Sequence, residues 1–199
     1  MKRERLIFVF LAAMLAPLPL LARAQDQIAE PNQPRWDNAP RIPDTPVVDQ
    51  YGHKLKFYSD LVKGKTVAIN FIFTNCLTVC PMLTAIFRKA QQDLAEHAGR
   101  DVYFISISVD PVNDRPENLK EYTAKFEAGP GWIFVTGKKS EIDRLVKALG
   151  AYAGNKNDHS PAVLVGNDNS KRWTRIYALS GETALVKTIR EAAAMSKVP

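Results

Sequence analysis

Short apolar runs alternate with polar breaks along this chain, and the spacing of the apolar positions shifts between the strand and helix periods. The run Thr66-Val67-Ala68-Ile69-Asn70-Phe71-Ile72-Phe73 is β-branched, aromatic and nearly unbroken, as a strand buried on both faces requires. Residues 102–109 have the same character, and 132–136 form a shorter third run. Between these runs the apolar residues return at helical spacing. Met82, Leu83, Ile86, Phe87, Ala90 and Leu94 predict a helix from 79 to about 97, stopped by Gly99. Leu119, Tyr122 and Phe126 predict a second helix, opened by a capping box of Asp114 and Glu117 with Pro116 in its first turn. Ile142, Leu145, Val146 and Leu149 predict a third, capped by Ser140 and closed by Gly150.

Two hairpins frame this core. Residues 45–48 and 55–58 flank the turn Tyr51-Gly52-His53, and 162–165 and 173–177 flank Asn167-Asp168-Asn169. Ser180 is placed to cap a last helix carrying Leu185, Val186 and Ile189. Strands joined through helical crossovers pair in parallel, whereas a closing hairpin pairs antiparallel. The expected fold is therefore α/β and thioredoxin-like: a mixed central sheet flanked by helices, with an added N-terminal β-hairpin.

The start of the chain reads differently. Lys2, Arg3 and Arg5 precede an apolar stretch over 6–21 that ends in Ala22-Arg23-Ala24. A basic head, an apolar middle and a small-x-small end are the parts of a secretory signal peptide. The stretch is shorter than the roughly 20 apolar residues of a spanning helix, and Pro17 and Pro19 interrupt it. Residues 1–24 are accordingly expected to be cleaved and the protein to be periplasmic; the alternative is an inner-membrane anchor facing the periplasm. No cysteine precedes Cys76, so a lipidated N-terminal cysteine is not expected. Residues 25–43, rich in Pro, Asn, Gln and Asp, read as a flexible leader with Trp36 as a candidate to dock, and 44–199 as one domain. The formal charge is +6 and falls to +3 without residues 1–24. No basic cluster carries interleaved aromatics, so nucleic acid is not an expected partner, and membrane contact is expected only if the signal is retained.

The two cysteines, Cys76 and Cys80, follow the first buried strand where the next helix begins. A disulfide closing so short a loop restricts the unfolded chain little, so a purely structural staple accounts poorly for the pair. The free N–H groups and dipole of a helix start stabilise a thiolate. Residues four apart share a helix face, so both sulfurs can address one point, and Pro81 is tolerated in a first turn. Two such sulfurs can cycle between dithiol and disulfide. They can also bind a soft ion, Cu(I) above all, and Cu(II) when a nitrogen joins them. A closed zinc site needs about four ligands, and His53, His97 and His159 have no finger-like spacing.

His159 stands just before the closing hairpin, in a loop that a thioredoxin-like fold returns beside the first helix. It is either a third ligand or a loop histidine held by structural hydrogen bonds. His53 and His97 read as solvated, and Met82 is spaced as core. Asp110 ends the second central strand, at the edge where α/β proteins bind ligands. It either orients a ligand there or forms the turn before Pro111.

Three motifs in order resemble the Sco/SenC family. The first is Phe71-Ile72-Phe73-Thr74-Asn75-Cys76-Leu77-Thr78-Val79-Cys80-Pro81; the second is Ser108-Val109-Asp110-Pro111 followed by Asp114-Arg115-Pro116 and Leu119; the third is Asp158-His159-Ser160. The likeness runs from about Ile42 to the C-terminus. It implies a thioredoxin-like domain whose Cys76, Cys80 and His159 bind one copper ion per chain, as Cu(I) or Cu(II). It also implies a metallochaperone, not an enzyme, that supplies the binuclear copper site of cytochrome c oxidase. The recipient would be the copper-bearing subunit or another exported cuproprotein, with a copper donor upstream. The alternative is a thiol-disulfide oxidoreductase that reduces partner cysteines through Cys76 and Cys80. The CxxxC spacing favours copper, because redox thioredoxins usually carry CxxC, although Ser160-Pro161 partly imitates their proline. This chain departs from the family pattern at Leu77, where proline is frequent, and over 166–171, which lacks an Asp-Pro-x-Gly turn.

Overall fold

The long apolar runs become the centre of the sheet. In the computed structural model, which describes residues 34–159, 161–177 and 181–195, β4 (Thr66–Ile72) and β5 (Val102–Ser108) pair in parallel from Thr66↔Val102 to Ile72↔Ser108. Every residue of β4 is buried, as its unbroken apolar sequence requires. Next to β5 lies β6 (Trp132–Thr136), also parallel. On the other side of β4 lies β7 (Ala162–Asn167), antiparallel, followed by its hairpin partner β8 (Arg172–Tyr177). The early hairpin is β2 (Pro46–Asp49) with β3 (Lys54–Lys56), and β2 docks antiparallel on β6. A two-residue strand, β1 (Asp37–Asn38), edges β8. The full order is β1-β8-β7-β4-β5-β6-β2-β3, the mixed thioredoxin-like sheet that the alternation of elements predicts.

The period of two in β4 divides the core. Ala68 and Ile72 face a layer made by α1 (Val79–Asp93), α2 (Pro116–Lys125) and α4 (Glu182–Met195), with Leu83, Phe87, Leu119, Leu185 and Ile189 fully or almost fully buried. Val67, Ile69 and Phe71 face α3 (Lys139–Ala148) through Ile142, Leu145 and Val146. Each of the Val, Leu, Ile and Phe side chains among them contributes about 1.5–3 kcal/mol by leaving water.

Several local expectations are corrected. The early strand ends at Lys56, and Phe57–Val62 form a π-helical turn that buries Phe57, Leu61 and Val62. The first helix stops at Asp93, and a chain of turns carries the backbone to Gly99, whose φ is 80°. Ser140 lies inside α3, which begins one residue earlier. Asp114 does not cap α2: Arg115 N donates to Asn118 Oδ1 at 3.1 Å instead, and Asp114 turns inward, as described below. Met82 is 49% exposed rather than core, because Pro81 and Met82 fall on the outer side of the first turn of α1. Part of the expected leader, 34–43, belongs with the folded unit: Asp37 and Asn38 join the sheet and Trp36 packs against the core. The signal expected at 1–24, the leader up to 33, Ser160 with its bond to Pro161, and Ser180 lie outside the described residues. Among the described residues no helix is long and apolar enough to cross a membrane.

Candidate metal centre

The sheet topology brings Cys80 and His159 together. β4 ends at Ile72 and runs through a short loop into α1. β7 is antiparallel to β4, so the chain entering β7 arrives at the end where β4 leaves. The cysteine loop is tight, with Cys76 N donating to Phe73 O at 3.1 Å. Both cysteines are free thiols and buried, Cys76 at 6% exposure and Cys80 at 0%.

His159, 5% exposed, places Nε2 3.8 Å from Cys80 Sγ across 79 residues of sequence. Its Nδ1 lies 2.5 Å from Lys156 O. A carbonyl oxygen only accepts, so Nδ1 carries a proton, and in the uncharged ring Nε2 has its lone pair toward the sulfur. A ring nitrogen fixed by a backbone carbonyl is the arrangement that holds metal-ligating histidines. Phe73 meets the imidazole edge-on, with centroids 5.7 Å apart. Cys76 Sγ lies 3.6 Å from Thr78 Oγ1, and among the described residues no three His, Cys, Asp or Glu side chains are gathered as a metal-holding group. The donor set nonetheless suits a soft ion: two sulfurs and one neutral imidazole nitrogen.

The two thiols differ electrostatically. Burial pushes Cys76 up, but the Cys80 thiol, the backbone at Cys80 and Thr78, and the Thr78 hydroxyl stabilise its thiolate, and the net effect is a lowered pKa. Burial, followed by the neighbouring Cys76, pushes Cys80 up to about 12. Iodoacetamide at pH 8 is therefore expected to modify Cys76 well ahead of Cys80. The Cys76 rate should rise with pH through a value below the ordinary thiol range, while Cys80 stays protonated. Peptide mass spectrometry over a pH series reads this, and equal rates at the two sites would contradict it.

Around these donors the end of β5 supplies two carboxylates. Asp110 forms the turn and also reaches Lys156, whose Nζ lies 2.5 Å from Oδ2. Burial opposes ionisation of Asp110, but Lys156 and Asn113 outweigh it and its carboxyl titrates below the usual range. Asp114, 1% exposed, accepts from Thr74 N at 3.2 Å, from Thr74 Oγ1 at 2.6 Å and from Ser108 Oγ at 2.6 Å. Beneath Cys80, Thr84 Oγ1 donates to the Cys80 carbonyl and meets Tyr122 OH, each at 2.8 Å. A cleft of about 480 Å³ opens beside His159, lined among others by Val109, Asp110, Ile142, Tyr152 and Lys156.

His53 and His97 stand apart, with side chains 71% and 50% exposed and paired to Asp49 and Asp101. Sequence reasoning named Cys76, Cys80, His159 and Asp110; it missed Lys156, which nothing distinguishes from other loop lysines, and misassigned Asp114, whose inward role depends on a contact 40 residues away.

Comparison with known proteins points one way. The family model described as SCO1/SenC matches residues 44–196. The SCO1 protein homolog of Bacillus subtilis (strain 168) is 45% identical over 85 residues, which are 41% of this chain and 43% of that protein. The chain thus spans under half of that relative's length in the aligned part. The crystal structure of a SCO1/SenC family lipoprotein from Bacillus anthracis str. Ames is similar with a TM-score of 0.67 and 30% identity, over 81% of this chain and 98% of that one. The structure of yeast Sco1 with copper bound is similar with a TM-score of 0.64 and 25% identity, over 78% of this chain and 88% of that one.

Proposed function

The chain belongs to the SCO1/SenC family, and on that premise we propose that it is an exported metallochaperone that carries one copper ion on Cys76, Cys80 and His159. The observation that carries this reading is the approach of the His159 lone pair to the buried Cys80 sulfur. Copper here is cargo. Each thiol gives up its proton as its sulfur takes the ion, so loading releases up to two protons and tightens as the pH rises. Two thiolates hold Cu(I), and the neutral Nε2 makes the same set acceptable to Cu(II). Cys76 leaves Thr78 to bind, and Cys80, the more enclosed sulfur, stays in place beneath the imidazole.

A recipient protein gains the ion by exchanging its own ligands for these, which needs close docking. Four of the six large apolar side chains exposed among the described residues, Leu77, Met82, Val112 and Tyr152, belong to segments around the site. Exposed apolar groups of this kind favour contact with another protein. The Sco/SenC motifs favour the copper-bearing subunit of cytochrome c oxidase as that recipient, in the periplasm after cleavage of residues 1–24.

The unequal thiols favour a second reading. A Cys76 thiolate attacks a partner disulfide, Cys80 then displaces the partner's sulfur, and the chain ends as a Cys76–Cys80 disulfide with the partner's two thiols restored. Anaerobic titration of the reduced protein with Cu(I) against a competing chelator, alongside a disulfide-reduction assay, separates the two. The expected result is one Cu(I) per chain, retained against the chelator, with slow disulfide reduction. Fast reduction and no retained copper would reverse the assignment.

A further inference from the structure

The turn between β5 and α2 touches both halves of the site. The Asp110 carbonyl accepts from Asn113 N at 3.0 Å and Asp114 N at 2.9 Å, which closes the turn on itself. Inside it, Asn113 Nδ2 donates to the Asp110 carboxylate at 2.9 and 3.0 Å, and Asp110 N donates to Ser108 Oγ at 3.1 Å. From this one turn Asp114 grips Thr74, two residues before Cys76, and Asp110 grips Lys156, three residues before His159. The sulfur loop and the histidine loop are thereby tied to the same few residues.

Lys156 is the link on the histidine side, and it makes three contacts that bear on the imidazole. Its carbonyl accepts from His159 Nδ1. Its ammonium pairs with Asp110, in a bond whose two side chains are 36% and 10% exposed. The same ammonium lies 5.1 Å from the centroid of the Phe73 ring, which packs T-shaped with the His159 imidazole. The flanking Asn155, Asn157 and Asp158 are exposed, so the loop has few other anchors to the body of the protein.

We infer that the 108–114 turn sets the approach of imidazole to sulfur, and that Lys156 is the positioning residue through which it acts on His159. The carbonyl fixes which ring nitrogen carries the proton, and the ammonium fixes where that carbonyl stands. An ammonium on a long stem suits the task, because it reaches a partly shielded carboxylate from an otherwise open loop. The metal readout of this inference rests on the copper reading; its readout in the metal-free protein does not.

The test compares Lys156→Met and Lys156→Arg with the unmodified full-length protein. In the metal-free state, nitrogen NMR of the His159 ring is expected to show a single Nδ1-protonated tautomer in the parent and in Lys156→Arg. In Lys156→Met both tautomers should appear. In the Cu(II) state, pulsed EPR should show a bound imidazole nitrogen in the parent and Lys156→Arg and lose most of it in Lys156→Met. Cu(I) affinity, held by the sulfurs, should move less than about threefold. A Lys156→Met protein with the parent's ring tautomer, or a Lys156→Arg protein that fails to restore it, overturns the inference. If the parent binds no copper, the copper reading fails while the ring tautomers still decide this one. If Lys156→Met does not fold, Asp110→Asn breaks the same ion pair from its other end and is read the same way.

Discussion

Replacing Cys80 with serine is expected to lower Cu(I) affinity by roughly 10³-fold or more while leaving the fold in place. A serine hydroxyl does not ionise near neutral pH and is a hard oxygen, so it offers Cu(I) neither the charge nor the softness of a thiolate. Cys80 is fully buried at the start of α1 and faces His159 Nε2 at 3.8 Å. No other thiol can take its place, since Cys76 is the chain's only other cysteine. The fold should survive because the serine O–H can donate to Nε2, so the buried group keeps a partner. Chelator competition reads the affinity and far-ultraviolet circular dichroism reads the fold. A folded Cys80→Ser protein that still holds copper against the chelator would contradict the ligand assignment.

The second large effect separates the oxidation states. His159→Ala is expected to weaken Cu(II) binding by roughly 10²-fold or more, but Cu(I) binding by less than about tenfold, because two thiolates satisfy Cu(I) far better than they satisfy Cu(II). The imidazole is 5% exposed and enclosed by Phe73 and Cys80, so its removal leaves a small void whose cost falls mainly on the loop before β7. Reactivity of the thiols toward an alkylating agent should persist, since the groups that lower the Cys76 pKa are Cys80 and Thr78 and not the imidazole. Equal losses for Cu(I) and Cu(II) would mean that His159 acts on the sulfurs rather than on the metal.

The sequence was most legible where one physical demand dominates. β4, β5 and β6 are buried on both faces or nearly so, and an almost continuous apolar run leaves a strand little choice. The helices α1 and α3 were visible for the matching reason, an apolar stripe at helical spacing. Expectation failed where tertiary contacts choose between local options. Asp114 has the chemistry of a helix cap, yet a backbone N–H and two hydroxyls from β4's exit and β5 offer more, so it serves the cysteine loop. Met82 shares the helical spacing of its neighbours but lies on the flank of the apolar stripe, where one step of 100° decides between core and solvent. The edge strand at Asp37 and Asn38 has no apolar alternation at all; it forms because β8 offers unpaired backbone groups. In the candidate site, residue types and spacing named the donors, while Lys156 emerged only from its three contacts.

X-ray absorption at the copper edge of the loaded protein tests the whole account most directly, because it counts the atoms around the ion. Two sulfurs near 2.3 Å, the usual span of a metal–thiolate bond, and one imidazole nitrogen near 2.0 Å are predicted as order-of-magnitude distances, roughly those of other first-row metal sites. His159→Ala should keep the sulfurs and lose the nitrogen. A shell with no sulfur, or with a nitrogen that persists in His159→Ala, would contradict the assignment of Cys76, Cys80 and His159 as the site that carries copper.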